Sequence, residues 1–600
     1  TDLFTAIYTV AVYLTYSWLY LAPAVIVIKT ADALLRPLHR PSGSAATSAT
    51  NRNWVVFSVA VVSLWLTQVC LMVDKEVFTI FGMHLNGFVW NTVFTAGGLE
   101  AMGGSTATNL TYAAILLGLL VVQVLPLAVL WKIQLLQQLW RVTFTKRMVI
   151  AYMACFVLSV LGEIIAYGVS DIRSYSPLLA SATLFPLYQP VTFRTLARRL
   201  GFNVDRRDEF RFRTATMRLN YPIHTLRVNP PEHPLNIVWL VAESLRADVL
   251  DPEVMPQTWA FARRAHCFGR HYSGGNGTRM GMFTMFYGLY GNYWFPFLQE
   301  RRSPIVMDVL QDQGYQLRLF TSARFSYPEF NRTIFARVPG DRMLEDSGGP
   351  GWSRDRRNVD RILDFIHSRD PSKPFMTFMF FESPHAQYHF PPEAVIRTPY
   401  LEEFNYVTAD LHRDMPLIKN RYINSCYHLD PQVGRILTAL EHDGLLESTI
   451  VLFTGDHGEE FMEKGRWGHN SEFSEEQLRV PMVLWIPGTG SSVSEHITSH
   501  LDIVPTLLPF LGVVNPPDEV SLGASMLNGP PRAYTIAGDW SRLTYIDDEY
   551  KASFPLEIGG VLRNCVTDQD DAPVADAAAF YSTRRPRLLE VMKDLHRFGR

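Results

Sequence analysis

"LNIVWLVAESLRAD", residues 235–248, begins with an almost unbroken apolar run, Leu235–Ala242, and then turns polar at Glu243. A run of this length with no polar alternation suits a β-strand covered on both faces. Four more runs have the same character: Tyr315–Thr321 ("YQLRLFT"), Pro374–Phe381 ("PFMTFMFF"), Thr449–Thr454 ("TIVLFT") and Pro481–Ile486 ("PMVLWI"). Helix-like stretches lie between them. Strands alternating with helices predict an α/β domain, here residues 235–600, with a mostly parallel mixed sheet between helices.

Sheets of this kind gather ligands at the carboxyl ends of their strands, and the polar residues fall there. Glu243 follows the first run, Glu382 and His385 follow "MFF", and Asp456 and His457 follow "VLFTG". "RWGHNSEF" brings His469 in just before the last run. A glycine-rich stretch, "GGNGTRMGMF" (274–283), adds Thr278 and Arg279.

Glu243, Thr278, Asp456 and His457 form a mixed oxygen and nitrogen donor set suited to one divalent ion, Mn²⁺ or Zn²⁺, with Mg²⁺ as a third candidate. A threonine hydroxyl is a weak nucleophile at neutral pH, and such an ion favours its alkoxide. Arg279 suits bidentate contact with phosphoryl oxygens, and Asn276 is a second expected substrate contact. The glycines at 274, 275 and 277 allow close backbone approach. Taken alone, Thr278 equally suits the N-cap of a helix running through Met285.

The first third of the chain differs in kind. Phe4–Ile28, Trp54–Val73, Leu110–Trp131 and Met148–Tyr167 are each long and apolar enough to cross a bilayer. Glu163, inside the last, is expected to face other helices rather than lipid. Residues 1–170 therefore read as a transmembrane helical bundle. Lys29, Arg36, Arg40 and Arg52 crowd the first loop, and Lys132, Arg141, Lys146 and Arg147 the third. The second loop holds Asp74, Glu76 and Glu100 against Lys75. The basic loops face the cytoplasm, so the chain after Tyr167 lies outside it. Thr1 would also lie outside, which suggests one more helix upstream.

Residues 171–234 form a basic linker. Arg206, Arg207, Arg211, Arg213 and Arg218 suit an anionic lipid head group, since guanidinium forks match phosphate. At 600 residues the chain calls for two or more domains, and a net charge of −3 argues against a nucleic-acid partner. The five cysteines show no metal-type spacing, and at most one disulfide could form among Cys267, Cys426 and Cys565.

From Leu235 to about Leu511 the chain resembles the alkaline phosphatase and sulfatase superfamily, in "AES", the glycine-rich threonine stretch, "SPHAQY", "TGDHGEE", "GHNSEF" and "SHLDIVPTLL". Threonine at the nucleophile position resembles lipoteichoic acid synthases and phosphoethanolamine transferases. That resemblance implies that Glu243, Thr278, Asp456 and His457 bind the metal. It also implies that His385 and His469 line the substrate phosphate or a second metal. True sulfatases need a cysteine or serine where this chain has Thr278.

"VDKEVFTIFGMHLNGFVWN", "NYPI", "GYQLRLFTS" and the threonine stretch extend the likeness to the YejM/PbgA family of inner-membrane sulfatase-like proteins. This implies a bacterial inner-membrane protein with five membrane helices and a periplasmic domain. It further implies cardiolipin or lipid A at the linker and control of lipopolysaccharide synthesis. The regulatory branch has a degraded metal set, whereas this chain keeps all four residues. Two functions follow. The first is a phosphotransferase that moves phosphoglycerol or phosphoethanolamine from a membrane phospholipid through phospho-Thr278 to an envelope acceptor. The second is a catalytically silent lipid sensor acting through a membrane-protein partner.

Overall fold

The computed structural model describes residues 2–35, 45–102, 104, 106–132, 146–173, 175–193, 197, 199–201, 218–403, 409–556, 565–574 and 577–599. It divides into two compact units. The first is Thr1–Leu85, Thr106–Glu209 and Ile558–Leu562; the second is Asn86–Ser105, Phe210–Glu557 and Arg563–Arg600.

The first unit holds four long apolar helices: α1 (Leu3–Leu35), α2 (Ala45–Phe81), α5 (Thr106–Lys132) and α6 (Lys146–Arg173). At 27 residues or more, each exceeds the roughly 20 residues that span a bilayer. Most of their large apolar side chains are exposed, as lipid-facing helices require. Glu163 is buried, so the acid does turn away from the lipid face. Of the linker arginines, Arg206, Arg207, Arg211 and Arg213 lie outside the described residues. Arg218 is exposed, next to a short antiparallel pairing of Leu219 with Gly599.

The second unit is built on an eight-stranded sheet. Its strands are β1 (Asn236–Ala242), β2 (His266–Tyr272), β3 (Gln316–Thr321), β4 (Met343–Glu345), β5 (Phe375–Phe381), β6 (Thr449–Gly455), β7 (Met482–Trp485) and β8 (Ser492–Ser499). They are ordered β8-β2-β7-β6-β1-β5-β3-β4. β1 pairs in parallel with β5 and β6, and β3 with β5 and β4, while β7 runs antiparallel to both β6 and β2. The sheet is thus mixed and mostly parallel. Every residue of β1, β5 and β6 is buried, as two-sided coverage demands.

Also in the second unit, between α2 and α5 in sequence, are two short helices, α3 (Gly87–Phe94) and α4 (Gly98–Ala101). Helix α7 (Thr278–Tyr287) packs on β1, with Phe286 stacked on Trp239 at 4.3 Å between ring centroids and 8° between planes. That stack presses the helix carrying Thr278 onto the central strand. An antiparallel sheet of four strands follows, Thr535–Gly538, Arg542–Ile546, Lys551–Pro555 and Cys565–Thr567. It touches the threonine loop through a bridge between Gly538 and Gly275. All five cysteines are free.

Candidate functional site

β1 and β6 are adjacent and in register, so their carboxyl ends bring Glu243 and Asp456 to the same edge. Ser244 takes a left-handed conformation (φ 59°) directly after Glu243, an unfavourable one for serine that marks a constrained turn. Its N–H donates to Asp456 Oδ1 at 3.0 Å, and the N–H of His457 donates to the same oxygen at 2.8 Å. With Oδ1 satisfied, Asp456 Oδ2 is left buried with no hydrogen-bond partner.

Thr278 is the first residue of α7, and Gly277 is the N-cap. The hydroxyl therefore does not cap the helix. It lies 3.2 Å from Glu243 Oε1 and 3.2 Å from His457 Nε2. The glycines around it answer to close approach. A Cβ on Gly277 would sit 1.8 Å from Asn470 Oδ1, and one on Gly281 would sit 2.1 Å from the Asp456 carbonyl oxygen. Alanine inside a helix ordinarily stabilises it by about 1 kcal/mol over glycine. Gly281→Ala should do the reverse, lowering stability by roughly 1–3 kcal/mol as the Asp456 backbone is pushed aside. Chemical denaturation reads the sign.

The protonation of His457 follows from its contacts. Its Nδ1 lies 2.8 Å from the Gly458 carbonyl oxygen, which only accepts, so Nδ1 carries the proton. Burial, reinforced by His469, holds the imidazole well below its ordinary pKa, so the ring is neutral and Nε2 offers a lone pair to Thr278. Burial pushes the carboxyls of Glu243 and Asp456 up, and for Asp456 the proximity of Glu243 adds to it. Two buried acids oppose each other's charge unless a cation joins them.

The donor set fits such a cation. His457 Nε2 is 3.4 Å from Asp456 Oδ2, and the two contacts of Thr278 Oγ1 are each 3.2 Å. Donors around tetrahedral Zn²⁺ at about 2.1 Å lie about 3.4 Å apart. Of these donor atoms, Asp456 Oδ2 is left without a hydrogen-bond partner, and the His457 lone pair faces the Thr278 hydroxyl.

His385 and His469 border this set. His385 Nε2 is 3.7 Å from Glu243 Oε1, and the His469 ring is 4.3 Å from that of His457. His469 Nδ1 bonds Glu459 Oε2 at 2.7 Å, and burial holds its imidazole down to about 3. Glu459 in turn accepts from Tyr388, whose hydroxyl also accepts from Trp467 Nε1 at 3.2 Å. Reading for strand ends alone misses Glu459 and Tyr388, although "TGDHGEE" contains the first. His457, Glu459 and His469 also bring one donor atom each within 4.8 Å of one another.

Two expected substrate contacts are placed otherwise. The Arg279 guanidinium is buried in an ion pair with Glu329 at 3.0 Å and also donates to Asn91 Oδ1 at 2.6 Å. It lies over the rings of Trp294, Tyr327 and Trp540, between 5.3 and 5.5 Å from their centroids. The structure thus holds this guanidinium in an ion pair among three aromatic rings, where the sequence predicts a phosphate contact, and leaves its Nε buried without a hydrogen-bond partner. Asn276 is fully buried and donates to the Glu472 carbonyl, tying the threonine loop to the segment after His469.

Residues 235–513 match the family model described as Sulfatase. The match falls on the α/β domain built on the eight-stranded sheet. Residues 45–228 match a second model, described as a domain of unknown function. Inner membrane protein YejM of Salmonella typhimurium is 26% identical over 79% of this chain and 74% of its own length. A Haemophilus influenzae protein is 23% identical over 79% of this chain and 72% of its own. The lipoteichoic acid synthase LtaP of Listeria monocytogenes aligns with 60% of this chain and 95% of its own at 15% identity, with a TM-score of 0.45. With four apolar helices ahead of the α/β domain, the chain is a multi-pass inner-membrane protein whose large domain is periplasmic. Enzymes of the sulfatase and alkaline phosphatase superfamily typically use a divalent metal.

Proposed function

We propose that the chain is a metal-dependent phosphotransferase that takes a phosphoglycerol or phosphoethanolamine head group from a membrane phospholipid. The observation that carries this reading is the position of the Thr278 hydroxyl, at 3.2 Å from both a buried carboxyl group and the lone pair of a neutral imidazole. Glu243, Thr278, Asp456 and His457 would hold Mn²⁺ or Zn²⁺, with Mg²⁺ as the third candidate. Such an ion lowers the cost of ionising a hydroxyl and offsets phosphate charge.

The chain's own residues do the rest. Thr278 Oγ1 forms a bond to phosphorus as the bond from phosphorus to the diacylglycerol oxygen breaks. The proton lost from the hydroxyl equals the one the departing diacylglycerol takes up, so this half-reaction is proton-neutral. His385 or His469 hydrogen-bonds the departing oxygen. The N-terminus of α7, which starts at Thr278, adds its partial positive charge beside the phosphate. An acceptor hydroxyl of the envelope, or water, then resolves the phosphothreonine.

The arginine cluster of the linker favours a second role. Arg206, Arg207, Arg211, Arg213 and Arg218 would bind cardiolipin or lipid A, letting the same chain sense the membrane and signal to a membrane-protein partner. One assay separates the two roles. The full chain, reconstituted with phosphatidylglycerol or phosphatidylethanolamine and Mn²⁺, is expected to release diacylglycerol. No release from either donor, with Zn²⁺ and Mg²⁺ also tried, would leave lipid sensing as the function.

A further inference from the structure

The segment between α2 and α5 carries an apolar face turned the wrong way for a soluble domain. On α3, Trp90 (48% exposed), Val93 (38%) and Phe94 (78%) share one helical face at i, i+3 and i+4. The Trp90 and Phe94 rings stack on each other, 5.8 Å between centroids and 15° between planes. Leu99 (60%) and Met102 (50%), on and just after α4, are exposed as well. Exposed large apolar side chains gathered in one short segment mark an interaction surface.

The other side of the segment is firmly held. Asn91 Nδ2 donates to Glu329 at 3.0 Å while its oxygen accepts from Arg279. Thr92 Oγ1 lies 2.8 Å from the Tyr327 hydroxyl, and Arg324 pairs with Glu100 at 2.7 Å. Phe88 packs on Trp540, with ring centroids 5.9 Å apart. Gly98 lets the two short helices close up, since a Cβ there would lie 2.0 Å from the Thr92 carbonyl oxygen. The exposed aromatics therefore stand on a fixed platform.

We propose that α3 and α4 form a lipid-contacting foot, resting Trp90, Phe94, Leu99 and Met102 in the periplasmic interface of the inner membrane. The occupant follows from the chain itself. One apolar span ends at Phe81 and the next begins at Thr106, so both ends of the segment are tethered at the bilayer. Tryptophan prefers the interfacial level, and the remaining side chains suit the acyl boundary. Residues 86–105 contain no lysine or arginine, so contact comes from apolar burial and is indifferent to head-group charge. That distinguishes the foot from the basic linker. Through Asn91 and Arg279, the foot is one side chain away from the helix that begins with Thr278. The lipid contact itself does not depend on any chemistry at Thr278.

The test uses the full chain in nanodiscs of phosphatidylethanolamine and phosphatidylglycerol, with the photo-crosslinker benzoylphenylalanine at position 94. Irradiation should give a lipid adduct, detected by mass spectrometry, in equal yield when phosphatidylcholine replaces phosphatidylglycerol and in high salt. An adduct to another copy of the chain, to the chain's own membrane helices, or to no lipid at all would overturn the proposal. A yield that falls with anionic lipid content would also overturn it. Position 90 serves as the second site should the first variant fail to fold.

Discussion

Thr278→Ala is expected to abolish diacylglycerol release while leaving the fold intact. With this hydroxyl as the nucleophile, its loss should cost on the order of 10⁴-fold or more in kcat. Stability should barely move. The hydroxyl makes only two long contacts, and alanine is the better helix former at the first position of α7. A change within about 1 kcal/mol is expected from losing those bonds. Near-normal release from this variant, with unchanged thermal unfolding, would show that another residue or water carries the attack.

Glu329→Ala is expected to give the largest loss of stability. Glu329 and Arg279 are both 6% exposed and face each other at 3.0 Å. Burial opposes ionisation of Glu329, but the Arg279 guanidinium, helped by Asn91, outweighs it and holds the carboxyl below its ordinary pKa. Removing the acid leaves a buried guanidinium whose remaining side-chain acceptor is Asn91, and breaking such a pair costs about 3–5 kcal/mol. The double variant Arg279→Met with Glu329→Leu should regain most of that, because no charge is then stranded. Arg279→Lys should not substitute, since an ammonium cannot reproduce the planar fork set among three aromatic rings. Urea unfolding of the three variants checks the order. A stable Glu329→Ala chain would mean that Arg279 is free for other work, and the reading of it as a phosphate contact would return.

Much of the fold is legible in the amino-acid sequence alone. The five apolar runs all form strands of the main sheet, because residues buried on both faces need no alternation and leave a plain signal. Three strands escape: β4 is only three residues long, and β2 and β8 lack an apolar run. β2 interleaves histidine, arginine and glycine, and β8 begins with Ser492 and Glu495 exposed along the sheet's edge. Pairing direction is not readable either. The run at Pro481–Ile486 looks like its parallel neighbours yet runs against them, since only connectivity sets that.

In the site, acids and histidines directly after strands stand out because β-strand ends concentrate ligands. Arg279 misleads because its partners, Asn91 and Glu329, lie 188 and 50 residues away. Proximity to Thr278 in sequence says nothing about where a long side chain turns. Glu459 hides in a motif that draws the eye to Asp456 and His457. Its role shows only once His469, ten residues on, folds back to it.

The central claim is that Glu243, Thr278, Asp456 and His457 hold one divalent ion. Element-resolved metal analysis of the purified chain and its Asp456→Asn variant tests it most directly, with circular dichroism confirming that both are folded. The expected result is about one Mn, Zn or Mg per chain, lost in the variant. No metal in either protein after reloading, or equal metal in both, would contradict the claim.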